Sequence, residues 1–229
     1  MRAINAPSLA NCGFLTMGEQ VKELVEGGAQ WFHVDIMDGH YVPNLCYPMR
    51  LVGELKASYP SMVVDVHLMV TDPAAYIDGL AAQGADYVSF HLDATSFSIR
   101  LLRAIREKGM KAGIVINPSQ PVSLLKPLVS DVDYVVLMTV EPGFAGQRFM
   151  PESLERLKEL TALRKETGTA FLISIDGGVD MDSAVACAKM GAEVFVTGIY
   201  TVFAQPEGIK AACKRFDSVV IVSKSPSEE

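Results

Sequence analysis

The chain lacks the features that would place it outside the cell, in a membrane or on nucleic acid. Its four cysteines, Cys12, Cys46, Cys187 and Cys213, form no C-x-x-C pair. They therefore read as free thiols in a reducing, cytoplasmic setting, not as a disulfide or zinc framework. No apolar run approaches the roughly 20 residues of a membrane span. Asn5, Pro7 and Asn11 interrupt the start of the chain, so no secretory signal is expected. Basic residues are the minority, 20 against 27 acidic, for a net charge of −7. A nucleic-acid partner needs a basic surface and is excluded, while a small anion can still meet a locally positive pocket.

What is present is apolar and alternating. Hydrophobic residues make up 49% of the 229, enough for a large core. Runs of strand formers at 3–9, 31–37, 62–69, 87–91, 111–116, 134–138, 170–175 and 194–197 alternate with segments of helical spacing. Those segments lie at 17–26, 49–57, 72–83, 96–108, 122–129, 152–165, 182–190 and 207–216, with a short helical turn at 201–204. Gly28, Gly84 and Gly191 each stand where a helix hands over to a strand, the left-handed position that suits glycine. Eight strand-then-helix units demand a parallel sheet and can close into a (β/α)8 TIM barrel of the usual ~200–250 residues. Residues 1–222 are expected to form that one domain and 223–229 a polar tail. An open doubly wound sheet is the alternative, weakened because no G-x-G-x-x-G follows the first strand.

In a barrel the C-terminal strand ends meet at one mouth. The chemistry collects there. The first strand ends at Ser8, and the second carries His33 and Asp35, two apart and so on one face. The third carries Asp65 and His67, the fourth ends at His91, the fifth at Asn117, the sixth at Met138, the seventh at Asp176 and the eighth at Gly198. His33 and Asp35 alone fit a satisfied core pair as well as a metal site. With His67 and Asp176 they make a two-imidazole, two-carboxylate set suited to one divalent ion (Zn, Fe, Mn or Co), and ligand type does not choose among these. Asp65 is expected to be structural, or an outer partner of the set.

Glycines mark the other half of the mouth. Gly143-Phe144-Ala145-Gly146 follows the sixth strand, Gly177-Gly178 the seventh and Gly198-Ile199 the eighth. Glycine lets backbone N–H groups approach phosphate oxygens, and these loops are where such barrels hold phosphate. Met37, Met69 and Met138 end three strands, as core filling or as a soft wall around a reacting carbon. Glu141 and Gln147 are expected to be solvated loop residues, and Trp31 and Phe32 to pack barrel against helices.

These motifs taken together resemble the ribulose-phosphate 3-epimerase family. A-P-S-L at 6–9, H-V-D-I-M-D-G-H-Y-V-P-N at 33–44, D-V-H-L-M-V at 65–70, M-T-V-E-P-G-F-A-G-Q at 138–147 and I-D-G-G-V at 175–179 carry the likeness, in order, over nearly the whole chain. The resemblance implies a metal-dependent epimerase that inverts C3 of a ketose phosphate, ribulose 5-phosphate to xylulose 5-phosphate. It implies His33, Asp35, His67 and Asp176 as ligands of one metal ion and Asp35 and Asp176 as the two acid/base groups. Ser8, His67 and Asp176 would contact substrate. Gly143, Phe144, Ala145, Gly146, Gly177, Gly178, Gly198 and Ile199 would hold the phosphate end. A homo-oligomer is the expected assembly.

Several positions depart from the family pattern. Ile199 stands where serine is usual, Ala145 where glycine is common, and Ser174 where an acidic residue is common. Asn11-Cys12 and Cys46-Tyr47-Pro48-Met49 are also unusual. None touches the metal set; several touch substrate shape. A sub-group that acts on allulose 6-phosphate shares Ala145, which makes that sugar the alternative substrate. The orotidine-phosphate decarboxylase-like barrels use D-x-K-x-x-D, but Asp35-Ile36-Met37-Asp38 has no lysine. A sugar-phosphate binder without turnover would have a broken metal set, and this set is whole.

Overall fold

The computed structural model describes residues 3–220. Eight parallel strands, β1 (Ile4–Pro7), β2 (Trp31–Met37), β3 (Val63–Met69), β4 (Tyr87–His91), β5 (Lys111–Ile116), β6 (Tyr134–Met138), β7 (Leu172–Asp176) and β8 (Val194–Thr197), run in the order β1-β8-β7-β6-β5-β4-β3-β2. The two ends of that series meet. Gln30 N donates to Asn5 O at 3.3 Å and Ser8 bridges His33 in parallel, so β1 closes on β2. The fold is the (β/α)8 barrel.

Helices α1 (Met17–Glu26), α2 (Arg50–Ser58), α3 (Ile77–Gln83), α4 (Ser98–Glu107), α5 (Ser153–Thr167), α6 (Met181–Lys189) and α7 (Ile209–Val219) surround the strands. Each lays an apolar stripe on the barrel, as with Leu101, Leu102 and Ile105 of α4. After β5 the chain makes only a 3-10 turn, Val122–Leu125. The helix expected from Asp72 splits into a 3-10 turn, Pro73–Tyr76, and α3. Gly28, Gly84 and Gly191 all have positive φ (93°, 80° and 100°), which is why glycine stands at each hand-over. Among the described residues no helix is long and apolar enough to cross a membrane. The expected polar tail at 223–229 lies outside the described residues.

The main core lies between strands and helices. A second, smaller packing region fills the barrel itself. Trp31 clusters with Ala6 and Val194, and its ring lies 4.3 Å from that of Tyr87. Trp31 therefore does not pack against helices as expected; it shares the face of His33 and Asp35 by the period of two. Phe32, on the opposite face, does join the main core. Above this floor lies Tyr134, whose ring occupies the space over Gly113, where a Cβ would collide with it. The β5 and β6 ends are pinned from outside. Arg156 of α5 donates to Met138 O at 2.9 Å and to Asn117 O at 2.7 Å.

Candidate active site

Pairing register assembles the site. β2 and β3 align His33 with Asp65 and Asp35 with His67, which puts two His–Asp rows on the inner face. Asp176, the last residue of β7, comes to them from across β8 and β1. His33 Nε2 lies 3.5 Å from Asp35 Oδ1 and 3.7 Å from Asp176 Oδ2. His67 Nδ1 lies 3.5 Å from Asp35 Oδ1 and 3.2 Å from Asp176 Oδ2. The four candidate donor atoms fall within 4.8 Å of one another.

That arrangement fits a metal ion. His33 Nε2 and His67 Nδ1 are buried polar atoms without a hydrogen-bond partner, both on the side of the two carboxylates. Buried polar atoms are seldom left so. Each has one nitrogen lone pair to give, and the carboxylates supply the negative charge. The group could hold one divalent ion.

An outer layer orients it. Asp65 Oδ2 accepts from His33 Nδ1 at 2.7 Å, and its Oδ1 accepts from Tyr134 Oη at 2.6 Å. This fixes the proton of His33 on Nδ1 and frees Nε2. Asp65 is thus the outer partner of His33, its cross-strand neighbour, and not of His67 on its own strand. His91 Nε2 lies 2.8 Å from His67 Nε2. Ser8 Oγ donates to Asp35 Oδ2 at 2.6 Å.

The electrostatics follow from burial and neighbours. Burial alone would raise the Asp35 pKa, but the His33 and His67 imidazoles outweigh it and hold the carboxyl well below the usual range. Burial, followed by the neighbouring His67, pushes the His91 ring well below the ordinary imidazole value, so it is neutral.

Every residue expected to touch substrate lines one cleft at the His–Asp group: Ser8, His67, Asp176, the Gly143–Gly146 segment, Gly177, Gly178, Gly198 and Ile199. Met37, Met69 and Met138 form part of its wall. His33 lies beneath it. Gly177 and Gly178 have φ of 119° and 63°, and a Cβ on Gly178 would collide with the backbone at Gln147–Phe149. The expected turn after β8 is a wide helical turn, Ile199–Phe203, closed by Phe203 N to Gly198 O at 3.1 Å.

Other lining residues were not expected. Gln147 is half-buried in its loop, and its Nε2 donates to Glu141 O at 2.6 Å and Phe144 O at 3.0 Å, bracing that loop. Glu141 also borders the cleft. Tyr200 donates to Gly146 O at 2.7 Å and ties the same loop to the β8 side. Asn11 stands between Ser8 and Gly198 and donates to Ser8 O at 3.1 Å. Its unusual identity was the signal available in the sequence.

The Ribulose-phosphate 3 epimerase family profile matches residues 4–203. The chain belongs to the ribulose-phosphate 3-epimerase family. It is 39% identical over 207 residues to the ribulose-phosphate 3-epimerase of Bacillus subtilis (strain 168), covering 90% of this chain and 94% of that one. It is 37% identical over 202 residues to that of Escherichia coli (strain K12), covering 88% and 89%. Family membership makes the chain a carbohydrate epimerase, an isomerase. Solved structures carry the fold likeness further. KGPDC from Streptococcus mutans superposes with a TM-score of 0.71 at 14% identity, over 96% of this chain and 99% of that one. 3-Hexulose-6-phosphate synthase from Salmonella typhimurium also gives 0.71, at 15% identity, over 96% and 98%. At such identities the likeness is one of fold.

Proposed function

We propose that this epimerase inverts C3 of ribulose 5-phosphate, giving xylulose 5-phosphate, by proton transfer between Asp35 and Asp176. The observation that carries the reading is the convergence of these two carboxylates, from β2 and β7, around two histidine nitrogens that lack partners. Removing a proton beside a carbonyl and returning it to the opposite face needs one group per face. Asp35, the carboxylate carried by β2, serves as the base on one face. Asp176, arriving from the other side of the ring, serves the second face. The bond from Ser8 keeps Asp35 aimed.

His33, Asp35, His67 and Asp176 would hold one divalent ion (Zn, Fe, Mn or Co), whose Lewis acidity would stabilise charge on O2 and O3 of the enediolate. The methionine wall excludes water from the reacting carbon. Backbone N–H groups of the Gly143–Gly146, Gly177–Gly178 and Gly198–Ile199 segments would bind the phosphate. Remote binding of that kind orients the sugar and retains the intermediate. The exposed side chains of Phe14, Leu15 and Leu45 support self-association, and four free cysteines suit the cytoplasm.

Allulose 6-phosphate is the second candidate substrate, favoured by Ala145 in the phosphate loop. Proton exchange at C3, followed by NMR in D₂O over a panel of ketose phosphates, decides between the sugars. Absence of exchange with every member would leave a sugar-phosphate binder.

A further inference from the structure

Between Glu141 and Gln147 the backbone is satisfied on one side only. Four carbonyls of this loop accept from side chains. Gln147 Nε2 donates to Glu141 O at 2.6 Å and to Phe144 O at 3.0 Å, which uses both hydrogens of its amide. Asn44, in the loop after β2, donates Nδ2 to Gly143 O at 2.8 Å. Tyr200, just beyond β8, donates its hydroxyl to Gly146 O at 2.7 Å. None of the backbone N–H groups from Gly143 to Gln147 donates to an acceptor among the described residues. All five of these residues line the cleft, together with Gly177 and Gly178.

The direction of the Asn44 bond is fixed at both ends of its amide. Oδ1 accepts from Leu45 N at 2.9 Å, and Gly143 O can only accept, so the nitrogen faces Gly143. Val42 seats the same contact: it is buried, and a Cβ on Gly143 would come within 2.9 Å of the Val42 Cβ. Asn44 thus holds the loop after β6 from the β2 side and Tyr200 holds it from the β8 side. A planar trans peptide points its N–H opposite to its C=O, and among the described residues no peptide is cis. Fixing the carbonyls of Gly143, Phe144 and Gly146 therefore fixes the N–H groups of Phe144, Ala145 and Gln147. Each is turned away from the side chain that holds its peptide. The Arg148 guanidinium carbon lies 4.3 Å from the centre of the Tyr200 ring, which keeps a cation beside the same loop.

We propose that Asn44, Gln147 and Tyr200 are positioning residues for the substrate's phosphate: by holding these carbonyls they set the Phe144, Ala145 and Gln147 N–H groups as a preformed cradle for a dianion. Donors fixed in advance lose little freedom when the ligand arrives, and a charged acceptor makes the stronger bonds to them. Ile199 offers no hydroxyl to a phosphate, so the cradle depends on backbone donors and on what orients them. The three side chains act through the loop and touch no reacting atom. Their role rests on the phosphate reading of the cleft.

Titration of the wild-type protein with inorganic phosphate, followed in ¹H–¹⁵N spectra, should move the Phe144, Ala145 and Gln147 amides downfield together. Tyr200→Phe keeps the ring that Arg148 stacks on and removes only the hydroxyl. It should weaken phosphate binding by about 3–10-fold, the net contribution of one hydrogen bond, with unchanged circular dichroism. Asn44→Ala should weaken it at least as much. In both variants the ratio of kcat/KM for ribulose 5-phosphate to that for ribulose should fall with the affinity, which a general loosening of the site would not produce. Wild-type phosphate affinity in both variants overturns the positioning role. So does binding that moves other amides and leaves these three in place. A wild-type chain that binds no phosphate defeats the phosphate reading, and the positioning role with it.

Discussion

Ser8 Oγ donates to Asp35 Oδ2 at 2.6 Å across the seam where β1 closes on β2. One hydroxyl thus couples closure of the barrel to the aim of a carboxylate. Ser8→Ala should leave the fold intact and lower kcat by roughly 10-fold or more, since small misplacement of a reacting group can cost about 100-fold. Steady-state kinetics check this; an unchanged kcat would show that Asp35 needs no such restraint.

Asp35→Asn and Asp176→Asn should each abolish epimerisation. They should not fail alike. The variant that keeps the base for a given epimer should still wash deuterium into C3 of that epimer, because exchange needs one group and inversion needs two. Asparagine is also the poorer ligand, so metal content is measured alongside. A variant that retains metal and epimerises at the wild-type rate would falsify the two-aspartate scheme.

Protein purified without chelator should carry close to one divalent ion per chain, and His67→Ala should lose it. Chelation should remove activity, and re-addition of a divalent ion should restore it and raise Tm, since an ion that binds only the folded chain stabilises it. Elemental analysis and thermal melts read the outcome. Full activity in metal-free protein rules the ion out of the reaction.

Non-phosphorylated ketoses should react far more slowly than their phosphates, the loss appearing in kcat/KM. Gly178→Ala should reproduce that loss for the phosphates. Its φ of 63° and its contact with the Gln147–Phe149 backbone leave no room for a Cβ. Equal kcat/KM for ribulose and ribulose 5-phosphate would place the phosphate elsewhere.

Asp180 caps α6: its carboxylate accepts from Ser183 N at 2.8 Å while Ser183 Oγ accepts from Asp180 N at 3.0 Å. Burial works against ionisation here, but the bonds from Ser183 outweigh it and hold the carboxyl below its usual value. Asp180→Ala should cost about 1 kcal/mol. The sign for a lowered carboxyl pKa is that its stabilisation is fully present above the unfolded value of about 3.9. It fades as pH falls through the folded value. Denaturant melts of both proteins at pH 7 and pH 3 should show the gap narrowing in acid.

Much of this was legible along the chain. The period of two placed His33 with Asp35 and Asp65 with His67, and glycine turns after strands marked the mouth. These are local properties, written in a few consecutive residues. Other matters needed the closed barrel. The register of β2 on β3 gave Asp65 to His33, and the approach of β4 to β3 set His91 against His67. Parity alone could have turned Trp31 inward, but only the packed floor shows it against Tyr87. Gln147 and Asn11 reached the cleft because loops from different strands meet above the mouth. Such contacts join residues far apart in sequence, through a pairing register and a loop course that no local pattern encodes. The chain by itself singled out the histidines and aspartates that gather at the mouth and the face of each strand that bears them. The tertiary structure decided which atom of each residue faces the site, because a side chain's proton and rotamer are set by the partner it meets.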